Sequence, residues 1–264
     1  MRPRAVALAG VVGLVVFGLL WESLVRLLDV KAFILLPPSQ IIEELAERPG
    51  FYAEAAAVTA RHSGVGLIVA MVLAVIVGAA LAASPLLEHA VQPVLMLVLV
   101  APWVAYFTSI VVWLGRGDPP VIFLVTLVTV PAFVFATVAG LRSADPAARE
   151  LLATVDANRV EVLWRLRLPA ALPAILATAR YGAALALAAA YYGEGGNLVS
   201  AGLGEAGRRA ANAQNGPVLW ATVVATVLLG VGFLTLIAIA ERTLLAWHVS
   251  QRRHALRPRL GPPA

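Results

Sequence analysis

The sequence predicts an all-α membrane protein with six transmembrane helices and one long polar loop between the fourth and the fifth. Three observations carry that prediction. Hydrophobic residues make up 61% of the chain and charged residues 13%. The mean hydropathy is +0.87. Several apolar runs also reach the roughly 20 residues that a helix rising about 1.5 Å per residue needs to cross about 30 Å of hydrocarbon.

The spans are assigned by length and hydrophobicity, because helices apolar all round carry little 3.6-residue periodicity. The first covers 5–27. It follows Arg2 and Arg4 and looks like a signal peptide, but it lacks an A-x-A-like cleavage site and further spans follow, so it is expected to be retained. The second covers 64–83 and the third 91–114, with Gln92 and Pro93 expected to bend the helix entry. The fourth covers 121–141, the fifth 175–192 and the sixth 218–246. The whole chain, 1–264, reads as a single transmembrane domain.

Between spans one and two, Pro37-Pro38 and Ser39 open a short amphipathic helix that Pro49-Gly50 ends. Glu43, Glu44, Glu47 and Glu54 make it an acidic, solvated interfacial element. In span five, Gly182, Ala186 and Ala190 recur every four residues and offer a face for close helix approach. Arg180, near the cytoplasmic end of that span, is expected to snorkel.

The formal net charge of +5 rests on 20 basic residues, of which only Lys31 is lysine. These charges flank apolar spans instead of forming a stripe on a soluble domain, which points to lipid headgroups and an acidic partner surface, not to nucleic acid. With the N-terminus inside, twelve basic residues fall on the cytoplasmic side and seven on the outer side. That bias predicts a multi-pass protein with both termini cytoplasmic.

Enzymatic chemistry has no visible seat. There is no G-x-x-x-x-G-K-[ST] loop, no H-E-x-x-H and no G-x-S-x-G, and the chain has no cysteine. His62, His89, His248 and His254 read as lying at span ends or in tails, so neither a catalytic nor a metal site is expected. An ion-coupled carrier would place ionisable groups near the midplane. Only Glu22, Arg180 and Glu194 come close, each towards a span end, and no inverted repeat is visible. The chain is therefore expected to bind no cofactor and to draw energy from another chain.

The loop 142–173, "RSADPAARELLATVDANRVEVLWRLRLPAALP", is far longer than a helix–helix connection requires. It reads as two short helices. Asp145-Pro146 opens the first, Asp156-Ala157-Asn158 forms a turn, and Pro169 ends the second. Val160, Leu163 and Trp164 are spaced to share a helical face, beside the charges of Arg159, Arg165 and Arg167. Such an element can press into a groove on a soluble partner.

At these residues the chain resembles a permease subunit of a type I ATP-binding-cassette importer. The loop of that family carries E-A-A-x-x-x-G and ends on an I-x-L-P-like segment. Here Glu150 stands at the Glu position, Leu151 and Leu152 at the alanines, Asp156 at the glycine, and Leu168-Pro169 at the Leu-Pro. "LLPPSQIIEEL" and "AERTLLAWH" resemble segments of the nitrate/sulfonate/taurine-type branch, and the likeness covers roughly residues 20 to 250. The glycine position admits a left-handed backbone, which Asp tolerates better than most residues. The acidic residue usual near the end of span five is replaced by Tyr191 or displaced to Glu194.

The resemblance implies a pore-forming subunit in the cell inner membrane, acting by alternating access. It implies two ATPase subunits carrying ATP and Mg, a second permease copy, and an extracytoplasmic substrate-binding protein. The ATPase contacts would be Glu150, Asp156, Ala157, Asn158, Arg159, Val160, Leu163, Trp164, Leu168 and Pro169. Trp103 and Tyr106 in span three, with Tyr191, Tyr192, Glu194 and Asn197 at the end of span five, are candidates to line a translocation path or to be interfacial aromatics and their neighbours. Two alternatives stand beside this reading: a degenerate scaffolding subunit of a heteromeric complex, and a secondary carrier. The transported solute is left open among oxyanions, sulfonates and vitamin precursors.

Overall fold

The computed structural model describes residues 3–32, 34–197 and 201–246, and among them there are helices and turns but no strand. The elements are α1 Pro3–Leu27, α2 Pro38–Glu47, α3 Pro49–Ala83, α4 Pro85–Val100, α5 Trp103–Leu114, α6 Asp118–Arg142, α7 Pro146–Thr154, α8 Arg159–Val162, α9 Leu168–Asn197, α10 Leu203–Asn212 and α11 Gly216–Leu244. Among the described residues, five helices are long and apolar enough to cross a membrane, and six spans result if the bent pair α4–α5 is one. The described residues cluster into two compact units. One takes the chain up to Ala60 with Tyr191–Leu228, the other Arg61–Ala190 with the chain from Leu229 onward.

Two expectations about helix limits change. Pro49-Gly50 ends α2, yet it also begins α3, which runs 35 residues instead of starting at 64. Proline is harmless in a first turn, where its missing N–H would have no partner. The early part of α3 buries Tyr52, Ala55, Thr59 and His62, a stripe at helical spacing. His62 thus sits inside a helix, wholly buried and 3.0 Å from Asp118, not at a span end.

The third span is broken. α4 and α5 are bent by 101° across Ala101-Pro102, whereas Pro93 stays inside α4. Proline disfavours the helical backbone of the residue before it, and Ala101 accordingly has ψ 133°. At the far end of α5, Gly115 and Gly117 adopt φ 78° and 113°. That region favours glycine and lets the chain turn into α6.

The unit beginning at Arg61 is built on α6, 61% of whose most apolar window is buried. α3 approaches it through Gly66 and Gly78, where an added methyl would overlap Val125 and Thr137. Thr126 Oγ1 donates to the carbonyls of Gly66 at 3.2 Å and Ile122 at 2.9 Å. α9 approaches α6 at two places, with Gly182 against Phe133 and Ala171 against Gly140. The small-residue face of Gly182, Ala186 and Ala190 is therefore buried, and dispersion at short range holds helices that lipid does not push together. Arg180 forms an ion pair with Glu241 of α11, so its charge has a protein partner. Arg142 meets Glu88 through both terminal nitrogens, one at 2.9 Å.

The other unit joins α1, α2, the start of α3, the end of α9, α10 and the start of α11. α1 exposes Leu8, Leu14 and Phe17, and only 6% of its apolar window is buried. Such a surface is at home in hydrocarbon, not in water. Its end is tied to α2 by Glu22, which accepts from Ser39 N–H at 3.0 Å, Ser39 Oγ at 2.8 Å and Arg26 Nε at 2.6 Å.

Replacing Gly78 with valine is expected to cost about 1–3 kcal/mol by overpacking. The thermal midpoint of the purified protein should fall, while Gly13→Val, with nothing within 4 Å, should leave it in place.

Candidate functional site

Two groups of residues singled out from the sequence have definite surroundings. The first is the loop after α6. Asp145 Oδ1 accepts from Ala147 N–H at 3.0 Å and starts α7. At the other end of α7, Asp156 has φ 54°. Its N–H donates to Ala153 O at 3.2 Å and that of Ala157 to Leu152 O at 3.1 Å. These two bonds make a Schellman turn, with Asp in the place where glycine is commonest. The left-handed turn expected at this position is present.

Asn158 then opens α8 with a capping box. Its Oδ1 accepts from Val160 N–H at 3.0 Å and Glu161 N–H at 2.9 Å, while Glu161 Oε2 accepts from Asn158 N–H at 3.0 Å. Pro169 does not end the helix that follows. The chain passes from α8 through a π-helical turn, Leu163–Arg167, straight into α9, with Leu168 N–H bonded to Leu163 O. In a wider π ring the proline need not supply an N–H to the preceding turn, so the helix runs through it.

Val160 and Trp164 are 63% and 67% exposed, and Leu151 and Val155 on the first helix are similar. Leu163 departs from the expected shared face, since it is half-buried against the apolar core, as is Leu168. Glu150 and Arg159 are exposed, and Arg165 lies 3.9 Å from Glu161.

The second group lies at the end of α9. Glu194 is 0% exposed. Its Oε2 accepts from Thr59 Oγ1 at 2.8 Å and from Gly204 N–H at 3.0 Å, and Thr59 Oγ1 accepts from Leu203 N–H at 2.9 Å. Leu203 and Gly204 are the first residues of α10, whose own N-cap, Gly202, has no side chain to do this. The carboxylate therefore serves as a long-range cap, in the place where the helix dipole favours negative charge. Glu194, a candidate for the translocation path, places its carboxylate at this helix start.

Tyr191 OH lies 3.1 Å from Thr222 Oγ1. A methyl on Gly204 or Gly207 would overlap the carbonyl or the hydroxyl of Tyr191, so these glycines seat α10 on α9. Tyr192 is exposed, and the side chain of Asn197 lies outside the described residues, as do Ser200, Trp247 and His248. In the other unit, Trp103 and Tyr106 are half-buried against the apolar core.

Comparison with known proteins accords with this architecture. Residues 66–245 match the family of binding-protein-dependent transport system inner membrane components. The chain belongs to that family. The inner membrane component is 28% identical over 169 residues to the taurine transport system permease protein TauC of Escherichia coli (strain K12). That match covers 61% of this chain and 62% of TauC. It is 28% identical over 235 residues to the formylaminopyrimidine transport permease protein ThiX of Halalkalibacterium halodurans, covering 88% of this chain and 92% of that one. The chain is thus a multi-pass membrane protein of that family.

Sequence reading missed Thr59 and Thr222, hydroxyls within long apolar helices. The nearest signal was the close spacing of Gly202, Gly204 and Gly207 after a span that ends in Glu194.

Glu194→Ala leaves the Gly204 N–H and the Thr59 hydroxyl without this acceptor, at a cost of about 1–3 kcal/mol. A lowered thermal midpoint is expected, and Glu194→Gln, which retains an acceptor oxygen, should recover much of it.

Proposed function

We propose that the chain is the pore-forming permease subunit of an ATP-driven importer, receiving a small solute from an extracytoplasmic binding protein. The observation that carries this reading is the exposed apolar surface of Leu151, Val155, Val160 and Trp164, held on two capped helices and their joining turn, the second helix continuing into α9. An ATPase chain, with its ATP and Mg, would dock there, and Glu150 and Arg159 would supply polar contacts at the rim. Movement of the ATPase would then reach a spanning helix through unbroken helical backbone. ATP enters as the ligand with different affinities for inward- and outward-facing states.

The excess of basic residues on one side supports cytoplasmic termini and a cytoplasmic position for α7 and α8. A second permease copy, identical or not, would complete the pore, with Trp103, Tyr106, Tyr191 and Tyr192 as candidates to line it. The two relatives are named for taurine and for a formylaminopyrimidine. A small sulfonate or a vitamin precursor is accordingly the class of solute to test first. A degenerate scaffold has less support, because Asp156 retains the left-handed turn that motivated doubt.

The test is uptake in proteoliposomes holding the permease, its ATPase and its binding protein. ATP-dependent accumulation of a solute is expected, while accumulation driven by an ion gradient without ATPase would sink the importer reading. Trp164→Ala, at an exposed site, should cut ATP-driven uptake about tenfold if this indole anchors the partner, as interface tryptophans commonly do. Its thermal midpoint should match that of the parent.

A further inference from the structure

The unit that contains α10 also holds a cleft of about 390 Å³, bounded by Arg48, Phe51, Glu205, Arg209, Asn215 and Val218. Its volume is at the lower end of the range for small-molecule sites. The wall made by α10 is anchored. One side of α10 is seated on Tyr191 through Gly204 and Gly207, and its start is held by Glu194 and Thr59. The side facing the cleft carries Glu205 and, one turn on, Arg209. Opposite them, Arg48 lies 5.7 Å from the centre of the Phe51 ring.

The charges of this cleft are mixed and balanced. Glu205 is only 3% exposed and is ion-paired with Arg209, whose side chain is 73% exposed. Arg48, half-exposed, is ion-paired with Glu44, which also accepts from the Tyr52 hydroxyl at 2.7 Å. Asn215 adds an amide, since its Oδ1 accepts from Val218 N–H at 3.2 Å and so turns its NH₂ group away from that bond. Phe51, Val218 and the alanines of α10 supply apolar contact. A solute with a single negative charge would meet the Glu205 carboxylate, and one with a single positive charge would meet two guanidiniums. In either case displacing water leaves one sign uncompensated.

We propose that this cleft is a binding site for a compact zwitterion, its anionic group on Arg48 and Arg209, its ammonium on Glu205, and a short apolar stem over Phe51. The inference rests on the importer reading and extends it to a class of solute and a place where that solute is held.

The test uses the full chain in lipid nanodiscs, without ATP, ATPase or binding protein, and three probes that share a three-carbon stem titrated by calorimetry: 3-aminopropanesulfonate, propanesulfonate and propylammonium. Saturable binding of the zwitterion is expected, with each singly charged probe weaker by about tenfold or more, the loss of one charge-assisted contact. Arg48→Gln, at a half-exposed position, should weaken the zwitterion by a similar factor with no change in thermal midpoint. Absence of saturable binding, equal binding of the three probes, or unchanged binding by Arg48→Gln would each overturn the site. Because ATP is absent, those results leave the importer reading standing. That reading fails separately, if a complex that binds the probe takes up no solute with ATP.

Discussion

A helix that begins inside or beside hydrocarbon has N–H groups that water does not reach, and each one left bare costs several kcal/mol. Of the two short helices of the smaller unit, α10 has a buried start and faces this problem while α2 has an exposed one, and both have poor means of their own. α2 is preceded by Pro37 and α10 by Gly202, and neither residue has a side chain that can accept a hydrogen bond. The same solution occurs twice. A glutamate near the end of a long apolar helix, Glu22 on α1 and Glu194 on α9, places its carboxylate on the neighbouring helix start. The arrangement of α1, α2, α9 and α10 depends on these two acids. They are also two of the few ionisable groups near the span ends, and capping a neighbouring helix gives each of them a local partner there.

The loop after α6 is a rigid part by a different route. It is exposed, so its order comes from local hydrogen bonds: an aspartate cap, a Schellman turn and a capping box in succession. The π-helical turn then lets Pro169 sit in a continuous helix. A force applied to Trp164 meets no flexible joint before α9.

Much of this was legible in the sequence. Composition gives the spanning helices, and the spacing of Asp145-Pro146 and of Asp156 to Asn158 gives the two loop helices and their turn. The Gly182 face follows from its four-residue repeat. What was hidden has physical reasons. Proline marks helix ends in water-exposed chains, so Pro49 and Pro169 read as stops, although one lies in a first turn and the other is absorbed by a π turn. The break at Ala101-Pro102 looks like ordinary span, since apolar composition carries no trace of direction. The role of Glu194 depends on Thr59, and no local pattern links residues so distant in sequence.

That distance has a consequence for biogenesis. The acceptor for α2 lies 17 residues before the group that it holds, so α2 can set as it leaves the ribosome. The Thr59 hydroxyl that meets Leu203 was made 144 residues earlier. α10 therefore cannot complete its first turn until α3 is already in the bilayer and α9 has come to rest beside it. In a chain inserted span by span, α10 is a late reporter of correct assembly, and a misplaced early span would betray itself there.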